Sequence, residues 1–172
     1  MAETYTVVTT DEAFASGKQM LGVWNTDAAK IVKIRRVWIA ISRTTAVTGV
    51  VTTFELRLIS ARGGAGTAKT PVPHDSTNSL LPDGDIYIEA GATYTDSSVL
   101  RRVIWSNDEV AVSGATWDEW ETIIPMCLVW DAGYGDDSVQ AITLRQNQGF
   151  TVKHSGTTAV SGVDIMLEIT CE

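Results

Sequence analysis

The residues with chemistry to offer are few and scattered. His74, Asp75 and Ser76 stand side by side after Pro73, which supplies the residue types of a nucleophilic triad. A triad's members come from separate elements and meet in space, and its nucleophile needs an oxyanion site. Three adjacent residues behind a proline read instead as a polar loop cluster. His74 and His154 are the only histidines, and neither has carboxylates or thiolates at zinc-ligand spacing. Residues 131–137 (Asp-Ala-Gly-Tyr-Gly-Asp-Asp) are oxygen-rich enough for calcium but lack the ligand order and closing glutamate of an EF-hand. Residues 82–85 (Pro-Asp-Gly-Asp) are a weaker version of the same pattern. Gly63-Gly64-Ala65-Gly66 lacks the Lys-Ser/Thr pair of a phosphate cradle. By motif, no enzyme and no cofactor is expected.

Aromatic content is the stronger signal. Six tryptophans are many for 172 residues. Trp38, Trp105 and Trp130 lie in apolar strand-like runs, suited to a core or to subunit contacts. Trp117 and Trp120 flank Asp118 and Glu119 in a loop-like segment, where exposed rings mark protein interfaces or carbohydrate platforms.

The elements that must position these residues read as strands. Val163, Ile165, Leu167 and Ile169 alternate with Asp164, Met166, Glu168 and Thr170, the period of a half-buried strand. Phe150, Val152 and His154 alternate likewise. The turn signal around Gly156 predicts that these two runs are antiparallel neighbours. Residues 31–42 predict a strong strand with Val37, Ile39 and Ile41 on one face and Trp38 and Ala40 on the other. Lys33, Arg35 and Arg36 crowd its first half, as on an exposed end or a sheet edge. Residues 50–60 predict the next strand, with Phe54, Leu56 and Leu58 inward, and residues 44–49 a hairpin loop before it. Residues 5–9 predict a first edge strand, and residues 11–18 have helical potential that Gly17 cuts short. Further strands are expected over 86–89 and 99–106, with polar turns at 91–98 and 131–138 and a strand over 123–130 that Pro125 starts or bulges. Residues 61–85 predict a long irregular loop carrying Pro71, Pro73 and Pro82, of a length usually functional or packed on a partner. The pattern is all-β: an antiparallel β-sandwich of jelly-roll type with about eight to nine strands, almost no helix, and one domain over 1–172.

Composition bounds the function. An apolar fraction of 44% suits a globular core. A net charge of −8 argues against nucleic acid and against an anionic membrane surface. Residues 1–10 lack an apolar export core, and no apolar run approaches the roughly 18 residues of a membrane span. The expectation is a protein made in a cytoplasm without a visible export signal.

Three stretches together carry a resemblance: LRLISARGGAGTAKTPVPHDSTNSLLP from Leu56, LRRVIWSNDE from Leu100, and VWDAGYGDDSVQAITLRQNQGFTVKHSGTTAVSGVDIMLEIT from Val129. They total 79 of the 172 residues, within a resemblance that extends over about two-thirds of the chain. The sequence resembles a family of small, mostly uncharacterised β-sandwich proteins encoded by tailed bacteriophages and related environmental genomes. Members of that family often carry Gly-x-Gly after Leu-Arg-Gln, whereas Asn147-Gln148-Gly149 here keeps only the second glycine. The resemblance implies a virion or assembly component and transfers no functional residues.

The favoured expectation is therefore a structural protein, a capsid decoration or other head or tail component, that self-associates and docks on other virion proteins. Arg62, Gly63, Gly64, Pro71, Pro73, His74, Trp117 and Trp120 are its candidate contact residues. The alternative is a carbohydrate-binding module using Trp117 and Trp120, with residues 131–137 as a calcium-supported site.

Two cysteines make no disulfide framework. Cys127 sits in an apolar run as a buried thiol, and Cys171, next to last, is expected to be mobile. Thiol titration of the unfolded, unreduced chain should count two free groups. A count of zero on a chain that remains monomeric on a non-reducing gel would show that they are bonded to each other.

Overall fold

The computed structural model describes residues 2–41, 50–78, 81, 84–107, 126–133, 139–156 and 162–172. These residues form twelve strands and no helix. The first four are β1 (Glu3–Ala13), β2 (Gln19–Asn25), β3 (Val32–Ile41) and β4 (Val50–Arg62). Two short ones follow, β5 (Thr67–Ala68) and β6 (Val72–Pro73). The rest are β7 (Ile86–Ala90), β8 (Tyr94–Asn107), β9 (Met126–Asp131), β10 (Ile142–Leu144), β11 (Gln148–His154) and β12 (Gly162–Cys171). The count exceeds the eight to nine expected because β5, β6 and β10 are too short to show a period of two.

All pairings are antiparallel. Sheet A runs β10-β3-β12-β1-β6, with β9 also paired to β3, and sheet B runs β5-β7-β2-β11-β4-β8. Alternation decides what is inside. Val163, Ile165, Leu167 and Ile169 of β12 are fully buried, as are Phe54 and Leu56 of β4 and Phe150 and Val152 of β11. Together with Tyr5, Val7, Ile34 and Ile39 they form one apolar cluster drawn from both sheets, a two-layer sandwich core. Leu58, expected inward, is only half-buried, and Ile59 is buried instead. Register shifts around Arg57 in the β4–β8 ladder account for this, since a bulge reverses which residues face in. The sole core histidine, His154, bonds Thr52 and the Ala15 carbonyl and stacks on Phe14 at 5.0 Å between ring centres.

Several expectations about pairing fail, for one shared reason. β3 and β4 are not a hairpin: β3 belongs to sheet A and β4 to sheet B. β11 and β12 are likewise in opposite sheets. A short polar reversal serves a hairpin and a sheet-to-sheet crossing equally, so turn residues do not tell them apart. Residues 42–49 lie outside the described residues. β1 is an inner strand between β12 and β6, and it continues to Ala13 through the segment that reads as helix. There a bulge between Thr9 and Glu12 puts Asp11 at φ 52, and the Asp11 N–H donates to Asp164 Oδ1 at 2.8 Å. The basic half of β3 is not an edge either. Arg35 is the extra residue of a bulge against β12, and Arg36 reaches Asp131 at 3.0 Å and Glu168 at 3.5 Å. Strand β8 begins at Tyr94, inside the segment expected to be a turn. β9 begins at Met126, and Pro125 lies outside the described residues. Cys171 is buried in β12, and Cys127 is half-buried.

The segment expected to be one irregular loop is stitched to the chain itself. β5 adds to β7 at the edge of sheet B, and β6 adds to β1 at the edge of sheet A. Lys69 N–H donates to the Ile88 carbonyl at 2.8 Å, and His74 N–H to the Thr4 carbonyl at 2.9 Å. The strap crosses from one sheet to the other. At the β10–β11 turn, Asn147 adopts φ 59, the left-handed region that asparagine tolerates.

Leu167 is fully buried in the middle strand of sheet A. Leu167→Ala should lower unfolding free energy by about 2–5 kcal/mol in urea titrations. A loss under about 0.5 kcal/mol would mean the site collapses around the smaller side chain or was never packed.

Candidate functional site

The registers of sheet A set its outward residues in rows. Val8 pairs with Met166, Met166 with Trp38, and Trp38 with Leu128. Each lies between inward-facing neighbours, so all four project from the solvent side. Side chains directly opposite across antiparallel strands are about 4.5–5.5 Å apart at Cβ, so this is one continuous apolar row over four strands. Val8 is 42% exposed and Leu128 46%, while Met166 and Trp38 are half-buried by their neighbours. The adjacent row is charged: Thr6, Glu168, Arg36 and Asp131 pair in the same strand order. Arg36 sits between the two acids and is held by both. A further row is polar, made of Thr4, Thr170, Lys33 and Thr143. An apolar band bordered by charge is the composition of an interface core and its rim.

Of the contact residues named from the sequence, those among the described residues lie elsewhere, with one exception. Arg62 makes a two-pronged pair with Glu89 at 2.7 and 2.8 Å and lies 3.9 Å over the Tyr87 ring. Gly63 and Gly64 exchange backbone hydrogen bonds with Thr93, Pro71 is buried, and Pro73 pairs with Tyr5. These groups bind their own chain. The exception is exposed His74, whose Nε2 lies 2.7 Å from Thr6 Oγ1 and so touches the end of the charged row. Asp75 turns away from it, accepting from the Thr77 N–H at 2.9 Å and hydroxyl at 2.7 Å, which holds its carboxyl below the usual range. His74, Asp75 and Ser76 thus form a turn. Asp131 accepts from Gly133 N–H and Arg36, and its pKa is lowered by those bonds in that order. Trp117, Trp120 and residues 134–138 lie outside the described residues. Among the described residues no group of three or more His, Cys, Asp or Glu side chains could hold a metal ion, and no helix is long and apolar enough to cross a membrane.

Sheet B carries a different outer surface. Gly22 and Gly149 leave room that side chains fill: a Cβ on Gly22 would sit 2.3 Å from the Tyr94 ring, and one on Gly149 2.5 Å from Ile59. Trp24, Ile59, Ala92 and Tyr94 close over the gap as a second small cluster. Beside it Asp96 gathers Arg57 at 2.6 Å, Gln19 at 2.9 Å and Lys153. Burial pushes the Asp96 carboxyl up, but bonds from Lys153 and Gln19 and the nearby cations outweigh it and hold the pKa low. Glu89 is likewise held low, chiefly by Arg62.

The apolar row escaped sequence reading because its members stand at positions 8, 38, 128 and 166. Only register brings them together. No protein-family model, curated protein or solved structure matches the chain.

The carboxylates set a pH dependence. A carboxyl whose folded pKa is depressed adds stability that is fully present above its unfolded pKa, about 3.9–4.3, and is lost as pH falls through the folded value. The melting temperature should therefore hold from neutral pH to about pH 5 and drop below about pH 4. Asp96→Asn should melt lower than wild type at pH 7, with the gap narrowing as pH falls below about 4. A gap that stays constant from pH 7 to 3 would show that the Asp96 charge contributes nothing.

Proposed function

We propose that this chain is a non-enzymatic structural protein of a virion, a capsid decoration or other head or tail component, that self-associates and docks on a larger particle. The observation that carries the reading is the apolar row Val8, Met166, Trp38 and Leu128 on the outer face of sheet A. Exposed apolar patches of this kind are interaction sites, and tryptophan and methionine are favoured at their centres. His74, at the end of the charged row, extends the face toward the β6 edge. Trp117 and Trp120 belong to the same proposal as further contacts.

Two further points favour a virion over other assemblies. One is the resemblance carried by the three stretches starting at Leu56, Leu100 and Val129. The other is topology. Strands β1 to β4 alternate between the sheets, with β12 inserted between β1 and β3 and β11 between β2 and β4, an order that supports the jelly-roll reading. Jelly rolls build viral capsid and lectin domains, so this second point is an analogy of fold and weighs less. Such a surface ordinarily leads to a closed symmetric oligomer.

Light scattering of the purified chain tests the reading. Wild type should form a defined oligomer. Trp38→Ala should weaken association by about 2 kcal/mol, or about 30-fold in Kd. Leu128→Lys should abolish association. Surface substitutions of this kind change folding by about 0.5 kcal/mol or less, so melting temperatures measured at dissociating dilution should stay within about 2 °C. A monomeric wild type that also fails to bind particles, or variants that assemble normally, would refute it.

A further inference from the structure

We propose that the partner of the apolar row is a second copy of this chain, packed face to face on sheet A about a two-fold axis that runs along the strands between β12 and β3. This pairing rests on the assembly face proposed above and specifies its partner and its register. The face is built of rows, in the strand order β1, β12, β3 and then β9 or β10. Thr4, Thr170, Lys33 and Thr143 form the first, Thr6, Glu168, Arg36 and Asp131 the second, and Val8, Met166, Trp38 and Leu128 the third. Asp164 and Ala40, paired across β12 and β3, lie in a fourth row on the far side of the apolar one.

Two identical sheets can meet about a two-fold axis in two ways that keep their apolar rows in contact. With the axis along the row, each strand lies over its own copy, and the rows on either side of the apolar one exchange places. Glu168 then faces Asp164 of the second copy, acid against acid, and Arg36 faces Ala40. With the axis along the strands, each row lies over itself with its strand order reversed. Val8 then faces Leu128 of the second copy, Met166 faces Trp38, and Glu168 faces Arg36, each contact occurring twice. Asp131 faces Thr6, so no charged residue of this row meets its like. Like charges set against each other across an interface cost affinity, and opposite ones fix its register. The charge pattern therefore selects the axis along the strands.

The dimensions suit such a contact. Packed sheets keep their strands within about 30° of one another, a rotation this axis allows, so contact is tightest at the centre and opens toward the ends. The centre holds Met166 and Trp38, residue types favoured in interface cores. Val8 at 42% and Leu128 at 46% exposure are the parts of the row still open to cover. Strands about 4.8 Å apart and rows about 6.8 Å apart make a face of four strands by four rows about 500 Å² per copy, or about 1,000 Å² in total, the size of a small specific interface.

Complementation between two exposed positions tests the arrangement, because Val8 and Leu128 face each other only when the axis runs along the strands. In analytical ultracentrifugation the full-length wild type should sediment as a dimer with a Kd of about 1–100 μM. Val8→Glu and Leu128→Lys should each weaken self-association about 30-fold or more, since each sets an unpaired charge against an aliphatic side chain at both contacts. Mixed one to one, the two variants should form a mixed dimer with an affinity within about 10-fold of wild type. One of its contacts then sets the introduced carboxylate against the introduced ammonium, and the other keeps leucine against valine. Native mass spectrometry distinguishes the mixed dimer from either homodimer. Both positions are exposed, so the variants should melt within about 2 °C of wild type at dissociating dilution. Variants that remain monomeric when mixed would overturn this pairing while leaving sheet A as the assembly face. A wild type still monomeric at about 1 mM would overturn it too, whether or not the chain binds particles. Single variants that associate as wild type does would remove the assembly face itself.

Discussion

The fold rests on where the last two strands go. β11 lies between β2 and β4, and β12 lies between β1 and β3. The chain's end therefore supplies a middle strand to each sheet, and β1 to β4 each pair with one of these two strands and not with one another. Glu3 pairs with Cys171, and Asn25 with Gln148. Both sheets, and the core they share, wait on contacts between the two ends of the chain. Folds with such distant pairing are slow to form, because loop closure must precede the contacts that repay it.

That arrangement gives the two sheets different outer surfaces. The β1–β12, β12–β3 and β3–β9 ladders of sheet A shift register once each, yet its outward residues still line up as rows. Sheet B is folded over at one end: the ladder of β4 and β8 shifts register three times, and Tyr94 is brought down over Gly22. The middle of its outer face is thus filled by the protein's own aromatic residues, while its rim holds the Asp96 network. One surface presents an apolar row, and the other a small polar recess. The division follows from where the bulges fall.

Which residues face inward was legible from alternation alone. Val163, Ile165, Leu167, Ile169, Phe54 and Leu56 are buried as their spacing requires. Leu58 is the exception, and the cause is a register shift that no local pattern announces. Which strands pair was not legible. The polar reversals after β3 and β11 carry hairpin residues yet span two sheets. Lys33, Arg35 and Arg36 looked like an edge because three cations crowd four positions, but a bulge at Arg35 and the acids Asp131 and Glu168 seat two of them on an inner strand. Residues 61–85 lacked periodicity because β5 and β6 are two residues each, held by backbone bonds that any sequence can make. The row on sheet A is a fact of register, and it leaves no mark on neighbouring residues in the chain.

Register also explains how an apolar outer row can coexist with a demanding core. A slip of one residue in β12 would turn Met166 and Glu168 inward and drive Ile165 and Leu167 into water. Burying four aliphatic side chains of β12 forbids that slip, since each contributes about 1.5–3 kcal/mol by leaving solvent. The interior thus fixes the position of Met166 between Val8 and Trp38 without regard to what those side chains are. Residues on the outer face are then free to vary in polarity at little cost to the fold, as surface positions generally are. An uninterrupted row of valine, methionine, tryptophan and leucine is accordingly not something the core requires.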